Sequence, residues 1–278
     1  MDQGSPLIRL AVFGQYVAKS QSPRIHGLFA EQFGLPIEYA AIEVTQASFT
    51  DQVRELANNG ARGCNVTVPF KNEAWRFANR CSENANRAEA ANTLVFSDGE
   101  CYADNTDGGG LVNDLESGNG FQIRNQRICL LGAGGAAGGV LAALLERKPA
   151  SIVVANRTIA KAVELAKRHE DLGPVSGSGL KAISEAAPYD LLINATSQGH
   201  GGAAPELSSG LFASGGLCYD MNYGAASLPL KRHCSKDGIR YSDGLGMLVG
   251  QAALSFQIWT GKTPDTASVL EKLRAAGE

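Results

Sequence analysis

Two charged residues set in apolar or glycine-rich surroundings, Lys71 and Asp107, are the first candidates for chemistry. Lys71 follows the apolar run Cys64 to Val68 and then Pro69, at the start of a helical segment, where a cation opposes the helix dipole. Either its side chain points into water or the position serves a purpose that offsets this. Asp107 lies in DNTDGGG, Asp104 to Gly110, a polar entry to a helix. It suits a plain helix cap, and suits acid–base work only with a partner. Ser20 and Ser22 precede Pro23 in KSQSP, a helix-start signal, so two hydroxyls lie beside a helix N-terminus where a carboxylate would be favoured. Ser22 as a simple cap is the plainer alternative. Gln251, three residues from Leu248 near an otherwise apolar helical face, needs a hydrogen-bond partner from backbone or ligand.

A second constellation points to a phosphate-bearing cofactor. In ICLLGAGGAAGG, Ile128 to Gly139, an apolar run breaks into glycines where a helix begins, and Gly132, Gly134 and Ala137 keep the G-x-G-x-x-G/A spacing of a dinucleotide-binding turn. Small residues also cluster wherever a helix packs tightly on a sheet, so the turn alone leaves both readings open. The next strand, Ile152 to Ala155, ends in Asn156, Arg157 and Thr158, where an acidic side chain would hold the ribose 2′-hydroxyl of NAD. No acid stands there. Arg157 and nearby Lys161 supply positive charge suited to a 2′-phosphate, which points to NADP. Thr196 and Ser197, in the loop after the buried run Leu191 to Ala195, lie at the carboxyl end of a strand, where ligands bind in open α/β sheets.

The elements that must position these residues alternate between strand and helix. Strands are expected at Leu7–Phe13, Glu38–Val44 and Cys64–Val68. Helices are expected from Ser22 to Gly34, from Phe49 to Asn59-Gly60, and from Lys71 to about Arg80. Asn92–Asp104 reads as two strands joined by an Asp98-Gly99 turn. The polar segment Asp114–Asn125 reads as a hinge into a second unit opened by Ile128. Strands at Leu191–Ala195 and Gly216–Tyr219 and a helix at Leu245–Gly261 complete an α/β pattern: an N-terminal α/β unit followed by a Rossmann-like, doubly wound one.

Composition narrows the function classes. The chain has 278 residues, 44% of them hydrophobic, and a net charge of −3 from 28 acidic and 25 basic residues with no basic block. No nucleic-acid footprint is present, and no apolar run approaches the roughly 20 residues that span a bilayer. The N-terminus lacks a signal-like core, so a cytoplasmic protein acting on small molecules is expected. The six cysteines form no C-x-x-C pair and the four histidines are scattered, so no metal site is expected.

Several motifs resemble those of the shikimate dehydrogenase family: KSQSP at 19–23, GCNVTVPFK at 63–71, ANTL at 91–94, DNTDGGG at 104–110, GAGGAA at 132–137, NRT at 156–158, NATSQG at 194–199, YDMNYG at 219–224 and DGLGMLVGQA at 243–252. The resemblance implies NADPH-dependent reduction of 3-dehydroshikimate, with Lys71 and Asp107 as the catalytic pair. It implies that Ser20 and Ser22 hold the substrate carboxylate, and that Asn65, Thr67, Asn92, Tyr223 and Gln251 make other substrate contacts. On the cofactor side it implies Gly134, Gly135 and Ala136 at the phosphates, Asn156, Arg157 and Thr158 at the adenosine phosphate, and Met221, Gly244 and Met247 near the nicotinamide. It further implies that residues 1–107 and 244–278 form the substrate-binding domain and 108–243 the NADP-binding Rossmann domain, with the active site in the cleft between them. A monomer or homodimer is expected. Glu89-Ala90-Ala91, Lys161 and His200 depart from the family's usual residues, and none is one of the catalytic pair.

Overall fold

Short apolar runs and amphipathic segments form strands and helices in close to the expected order. A computed structural model describes residues 6–277; the opening residues 1–5, read above for a targeting segment, lie outside it. The chain runs β1 (Ile8–Gly14), α1 (Ser22–Phe33), β2 (Ile37–Glu43), α2 (Phe49–Asn58), β3 (Gly63–Val66), α3 (Lys71–Phe77), β4 (Arg80–Cys81), α4 (Glu83–Ala88), β5 (Thr93–Ser97), β6 (Glu100–Asp104) and α5 (Asp107–Asn113). A π-helical turn over Asp114–Gly118 continues α5. Then come β7 (Arg127–Leu131), α6 (Gly135–Glu146), β8 (Ser151–Asn156), α7 (Ile159–Lys167), β9 (Val175–Gly179), β10 (Tyr189–Asn194), β11 (Phe212–Asp220), α8 (Leu228–Lys236), β12 (Arg240–Ser242), α9 (Leu245–Thr260) and α10 (Thr266–Ala275).

Two compact units result. One holds the described residues to Asp107 together with Val249–Ala276, and the other holds Gly108–Leu248. Residues 244–248, expected with the first unit, pack with the second. Gly244 N–H donates to Asn222 O at 2.9 Å, and a Cβ on Gly246 would fall 2.1 Å from Asp114 Oδ1. The expected hinge at Asp114–Asn125 is also corrected. Asp114, Leu115 and Ile123 are buried, and Tyr219 Oη donates to Asp114 Oδ2 at 2.6 Å. These three buried residues anchor the segment in the second unit, and the units divide after Asp107, where the family resemblance places the boundary.

In the first unit the strand order is β2-β1-β3-β5-β6-β4, with β1 parallel to β2 and β3, and β5 antiparallel to β3 and β6. Period-2 alternation gives the sheet two faces. Ala11, Phe13, Cys64 and Val66 pack against Phe49, Val53, Phe70 and Ala74 of the α2–α3 side. Register places Tyr39 beside Leu10 and Asn65 beside Val12 on the other face, where α1 and α9 contribute His26, Phe29, Phe256 and Trp259. Trp259 Nε1 donates to Leu94 O at 2.9 Å. Gly63 makes this approach possible, because a Cβ there would sit 2.4 Å from the indole nitrogen and 2.2 Å from that same carbonyl oxygen.

The second unit is a six-stranded parallel sheet in the order β12-β11-β10-β7-β8-β9. Counted from β7 this is the 3-2-1-4-5-6 order of a doubly wound dinucleotide fold. Both faces are apolar, as a parallel sheet covered by helices requires: Ile128, Leu130 and Ile193 face α6, while Cys129, Leu131 and Leu192 join Leu230 and Cys234 of α8. All six cysteines are free thiols and five are buried. Among the described residues, no group of three His, Cys, Asp or Glu could hold a metal, and no helix is long and apolar enough to cross a membrane.

His26 makes acid stability a readable property of this core. It is fully buried, its ring stacks on Tyr39 at 4.4 Å, and neither ring nitrogen has a hydrogen-bond partner among the described residues. Burial pushes its pKa down to about 3, and the Asn65 side chain only partly offsets this. Below the ordinary value of 6.5 the unfolded chain binds a proton that the folded chain refuses until about pH 3, so stability falls as pH falls through that window. Urea denaturation at pH 7 and pH 4 should show the parent losing on the order of 3 kcal/mol more than His26→Phe; equal losses would show that His26 does not titrate this way.

Candidate active site

The turn after β3 sets Lys71. Thr67 N–H donates to Phe13 O at 2.8 Å and Phe70 N–H to Thr67 O at 3.0 Å. Phe70 is buried and stacks on Phe49 with centroids 5.1 Å apart. This anchor leaves Lys71 as the first residue of α3, and β3 therefore stops at Val66, two residues before the expected end. Asp107 is set from the other side. Its N–H donates to Asn105 Oδ1 at 3.1 Å, and Asn105 Nδ2 donates to Ala90 O at 2.8 Å.

The two charges meet. Lys71 Nζ donates to Asp107 Oδ2 at 2.5 Å, with the side chains only 16% and 6% exposed. Asp107 is thus the partner of Lys71 rather than a side-chain cap. The remaining carboxylate oxygen, Oδ1, accepts from Asn92 Nδ2 at 2.8 Å, and that amide also reaches Thr106 Oγ1 at 2.9 Å and Gln251 Oε1 at 3.1 Å. Asn92 Oδ1 in turn accepts from Thr106 N and from Thr93 Oγ1, both at 2.9 Å. A partly desolvated ion pair is held in this geometry because the second carboxylate oxygen is bound by a fixed dipole, the Asn92 amide. Asp107 uses one of the three N–H donors of Lys71, and the other two are available to an oxygen brought to the site.

Two of the remaining expected substrate contacts in this unit, Asn65 and Gln251, are bonded to Asn92 itself. Asn65 is buried, its Nδ2 donating to Asn92 O at 2.9 Å and to Ser255 Oγ at 3.1 Å. Gln251, whose polar side chain required a partner, finds one in Asn92. Ser20 Oγ donates to Ser22 Oγ at 3.2 Å and also accepts from the Ser22 N–H. Ser22 is the first residue of α1, the cap position falls on Gln21, and no side chain caps the helix. The simple-cap reading of Ser22 therefore fails, and both hydroxyls remain beside the helix start. Thr67 is half-buried in the turn before Lys71. Tyr223 belongs to the second unit, at the start of a 3-10 turn over Gly224–Ser227.

In the second unit the expected cofactor residues gather at the carboxyl ends of the strands. Gly132 follows β7 with φ +109°, and a Cβ on it would lie 3.0 Å from Ala195 O, so the turns after β7 and β10 touch where the strand order reverses. Gly134 and Gly135 are exposed and a Cβ on either would meet nothing. Gly134 is the N-cap of α6 and makes no side-chain cap, so the first N–H groups of α6, at Gly135 and Ala136, are free for an anion. Ala137 is buried against the sheet. At the end of β8, Asn156 Nδ2 donates to Thr158 O at 3.0 Å, while Arg157 and Lys161 are exposed. An open glycine cradle beside two cations fits a dinucleotide with an extra phosphate.

Buried Asp220 joins the loops after β10 and β11. It accepts from Asn194 Nδ2 at 3.0 Å and Asn222 Nδ2 at 2.8 Å, and Asn222 Nδ2 also donates to Thr196 O. Burial raises the Asp220 carboxyl above its ordinary pKa, opposed by these amide donors. Around it lie Thr196, exposed Ser197, Met221, whose N–H bonds Asn194 O, and Gly244, where a Cβ would strike Met221 O at 2.4 Å. Met247 is buried in the same unit. Residue types alone gave no sign of Thr93 and Ser255 as partners in the polar network; the only signal was that Ser255 lies one helical turn beyond Gln251.

Three family models match parts of the chain. Residues 12–94 match a model described as the shikimate dehydrogenase substrate binding domain, residues 115–201 one for shikimate/quinate 5-dehydrogenase, and residues 244–274 a shikimate 5'-dehydrogenase C-terminal domain. The shikimate dehydrogenase (NADP(+)) of Dechloromonas aromatica is 48% identical over 95% of this chain and 96% of its own. An Ael1 enzyme from Pseudomonas putida superposes with a TM-score of 0.87 at 40% identity, over 96% of this chain and 98% of that one. The shikimate 5-dehydrogenase of Thermus thermophilus, solved in complex with NADP(H) and shikimate, gives 0.83 at 30% identity, over 97% and 99%.

Proposed function

Since the chain belongs to the shikimate dehydrogenase family, NADP-dependent oxidoreductases that interconvert 3-dehydroshikimate and shikimate, we propose that Lys71 and Asp107 carry its chemistry in a substrate-binding first unit, while the second unit holds NADP. The observation that carries this reading is the Lys71–Asp107 pair with its second carboxylate oxygen held by Asn92 and two ammonium donors left over. When bound, the cofactor supplies a hydride to the carbonyl carbon. The protein's part is to receive the charge that develops on oxygen. A fixed ammonium N–H stabilises an alkoxide and gives it a proton, and Asp107 keeps that ammonium aimed. The hydroxyls of Ser20 and Ser22, at the start of α1, suit the substrate carboxylate, and Asn65, Thr67, Asn92, Gln251 and Tyr223 suit its ring hydroxyls.

Gly132, Gly134, Gly135, Ala136 and Ala137 would cradle the pyrophosphate, and Asn156, Arg157, Thr158 and Lys161 the adenosine 2′-phosphate. Thr196, Ser197, Met221, Gly244 and Met247 would line the nicotinamide end. The reading extends to a cytoplasmic biosynthetic enzyme, monomer or homodimer, with no nucleic-acid or membrane partner.

Spectrophotometric assays of shikimate and of quinate with NADP⁺ and with NAD⁺ test the whole reading; no absorbance change in any of the four rejects it. In the productive assay, Lys71→Ala should lower kcat by about a hundredfold or more while leaving the KM for NADP⁺ within about threefold. Near-normal turnover would remove Lys71 from its role. Arg157→Ala should raise the KM for NADP⁺ by about tenfold and leave that for NAD⁺ nearly unchanged, as loss of a phosphate contact requires; a parallel rise for both cofactors would place Arg157 elsewhere.

A further inference from the structure

Asn65 is 5% exposed and most of its hydrogen-bonding capacity is already used inside the protein. Its Nδ2 faces Asn92 O at 2.9 Å, Ser255 Oγ at 3.1 Å and Thr93 Oγ1 at 3.3 Å, three acceptors for two N–H groups. Its Oδ1 accepts from Tyr39 Oη at 2.7 Å. A carboxamide can turn over and exchange its oxygen and nitrogen, and the surrounding network decides which end points where. The Asn92 carbonyl decides this, because it can only accept and so must face the nitrogen end; Tyr39 then gives its one phenolic proton to the oxygen end. Burial pushes the Tyr39 phenol above its ordinary pKa, opposed by the nearby Ser22 hydroxyl, so it stays a donor.

The Tyr39 ring is itself held. His26 of α1 stacks on it at 4.4 Å with an interplanar angle of 8°, and the same imidazole is bounded by Phe29, Phe256 and Trp259. A flat ring clamped by aromatic neighbours keeps its hydroxyl at one place on the sheet. Tyr39 lies on β2 and Asn65 on β3, both on the α1–α9 face, separated by β1.

We infer that Tyr39 is a positioning residue for substrate specificity: with the Asn92 carbonyl holding the nitrogen end of Asn65, Tyr39 donates to Oδ1 and anchors the oxygen end, so that the one spare site of the carboxamide is an oxygen lone pair, which accepts a hydroxyl of the substrate. The inference rests on the reading of Asn65 as a substrate contact. It makes the Asn65 position selective for a hydroxylated ring carbon over an oxo group, because a carbonyl oxygen offers no proton to an acceptor.

The test compares the parent with Tyr39→Phe, Asn65→Ala and the double variant, measuring kcat and the KM for shikimate and for NADP⁺, with thermal unfolding as a control. Tyr39→Phe keeps the stacked ring and removes only the hydroxyl. It should raise the KM for shikimate by about tenfold with the KM for NADP⁺ within twofold. Asn65→Ala should raise it at least as much, and in that background Tyr39→Phe should add less than twofold, since the two act as one unit. Multiplicative effects, or a Tyr39→Phe enzyme with unchanged shikimate KM beside an impaired Asn65→Ala, would overturn the role of Tyr39 and leave the proposed function standing. An Asn65→Ala enzyme with unchanged KM would instead refute Asn65 as a substrate contact, and the inference with it.

Discussion

An ammonium and a carboxylate 2.5 Å apart and largely out of water impose a strict condition on everything around them. The carboxylate oxygen that the pair does not use must find a fixed partner, or its desolvation weighs against the attraction. The condition is met by residues far apart in the chain. Asn92 at the start of β5, Thr106 before α5 and Gln251 on α9 are joined through one carboxamide. Through Gln251 that requirement ties the part of α9 beyond Val249 to the first unit. It also explains polar Asn92, Thr93, Thr106, Gln251 and Ser255 inside an otherwise apolar layer.

The second unit meets a different condition, the approach of backbone to backbone. Gly132 brings the turn after β7 against Ala195 after β10, and Gly244 brings the turn after β12 against Met221 after β11. Both contacts are made by atoms that a Cβ would displace. Asp220 then ties the β10 and β11 loops through Asn194 and Asn222. The loops at this end of the sheet are thus located by steric contact and buried amides, while Gly134, Gly135, Arg157 and Lys161 stay open to solvent.

Much of this was legible in residue types. The helix limits at Pro23 and Gly34, the Asp98-Gly99 turn with both φ values positive, and the parallel strands at Ile128, Ile152 and Leu191 follow from local rules. So does the demand of Gln251 for a partner. What escaped depended on contacts that spacing does not encode. β9, with the sequence VSGSG, has no apolar alternation and is a strand because β8 offers it an edge; Gly177 is needed where a Cβ would fall 2.4 Å from the α7 backbone. Asp114 looked like linker polarity until Tyr219, 105 residues away, was found to be its donor. Tyr39 read as one more strand residue, since neither its bond to Asn65 nor its stacking on His26 leaves a trace in the sequence around it.

The bond from Trp259 to Leu94 O, admitted by the missing side chain of Gly63, joins residues 165 positions apart. Its consequence is one of order in time. Gly108–Leu248 is one continuous stretch of chain, so that unit can close while synthesis continues. The sheet of the first unit emerges from the ribosome earlier, yet on the face that α1 and α9 share, the α9 part stays uncovered until residues beyond Val249 follow. The half of the protein made first is therefore the half completed last, and its apolar sheet face is the surface that a nascent chain must keep from other contacts while it waits.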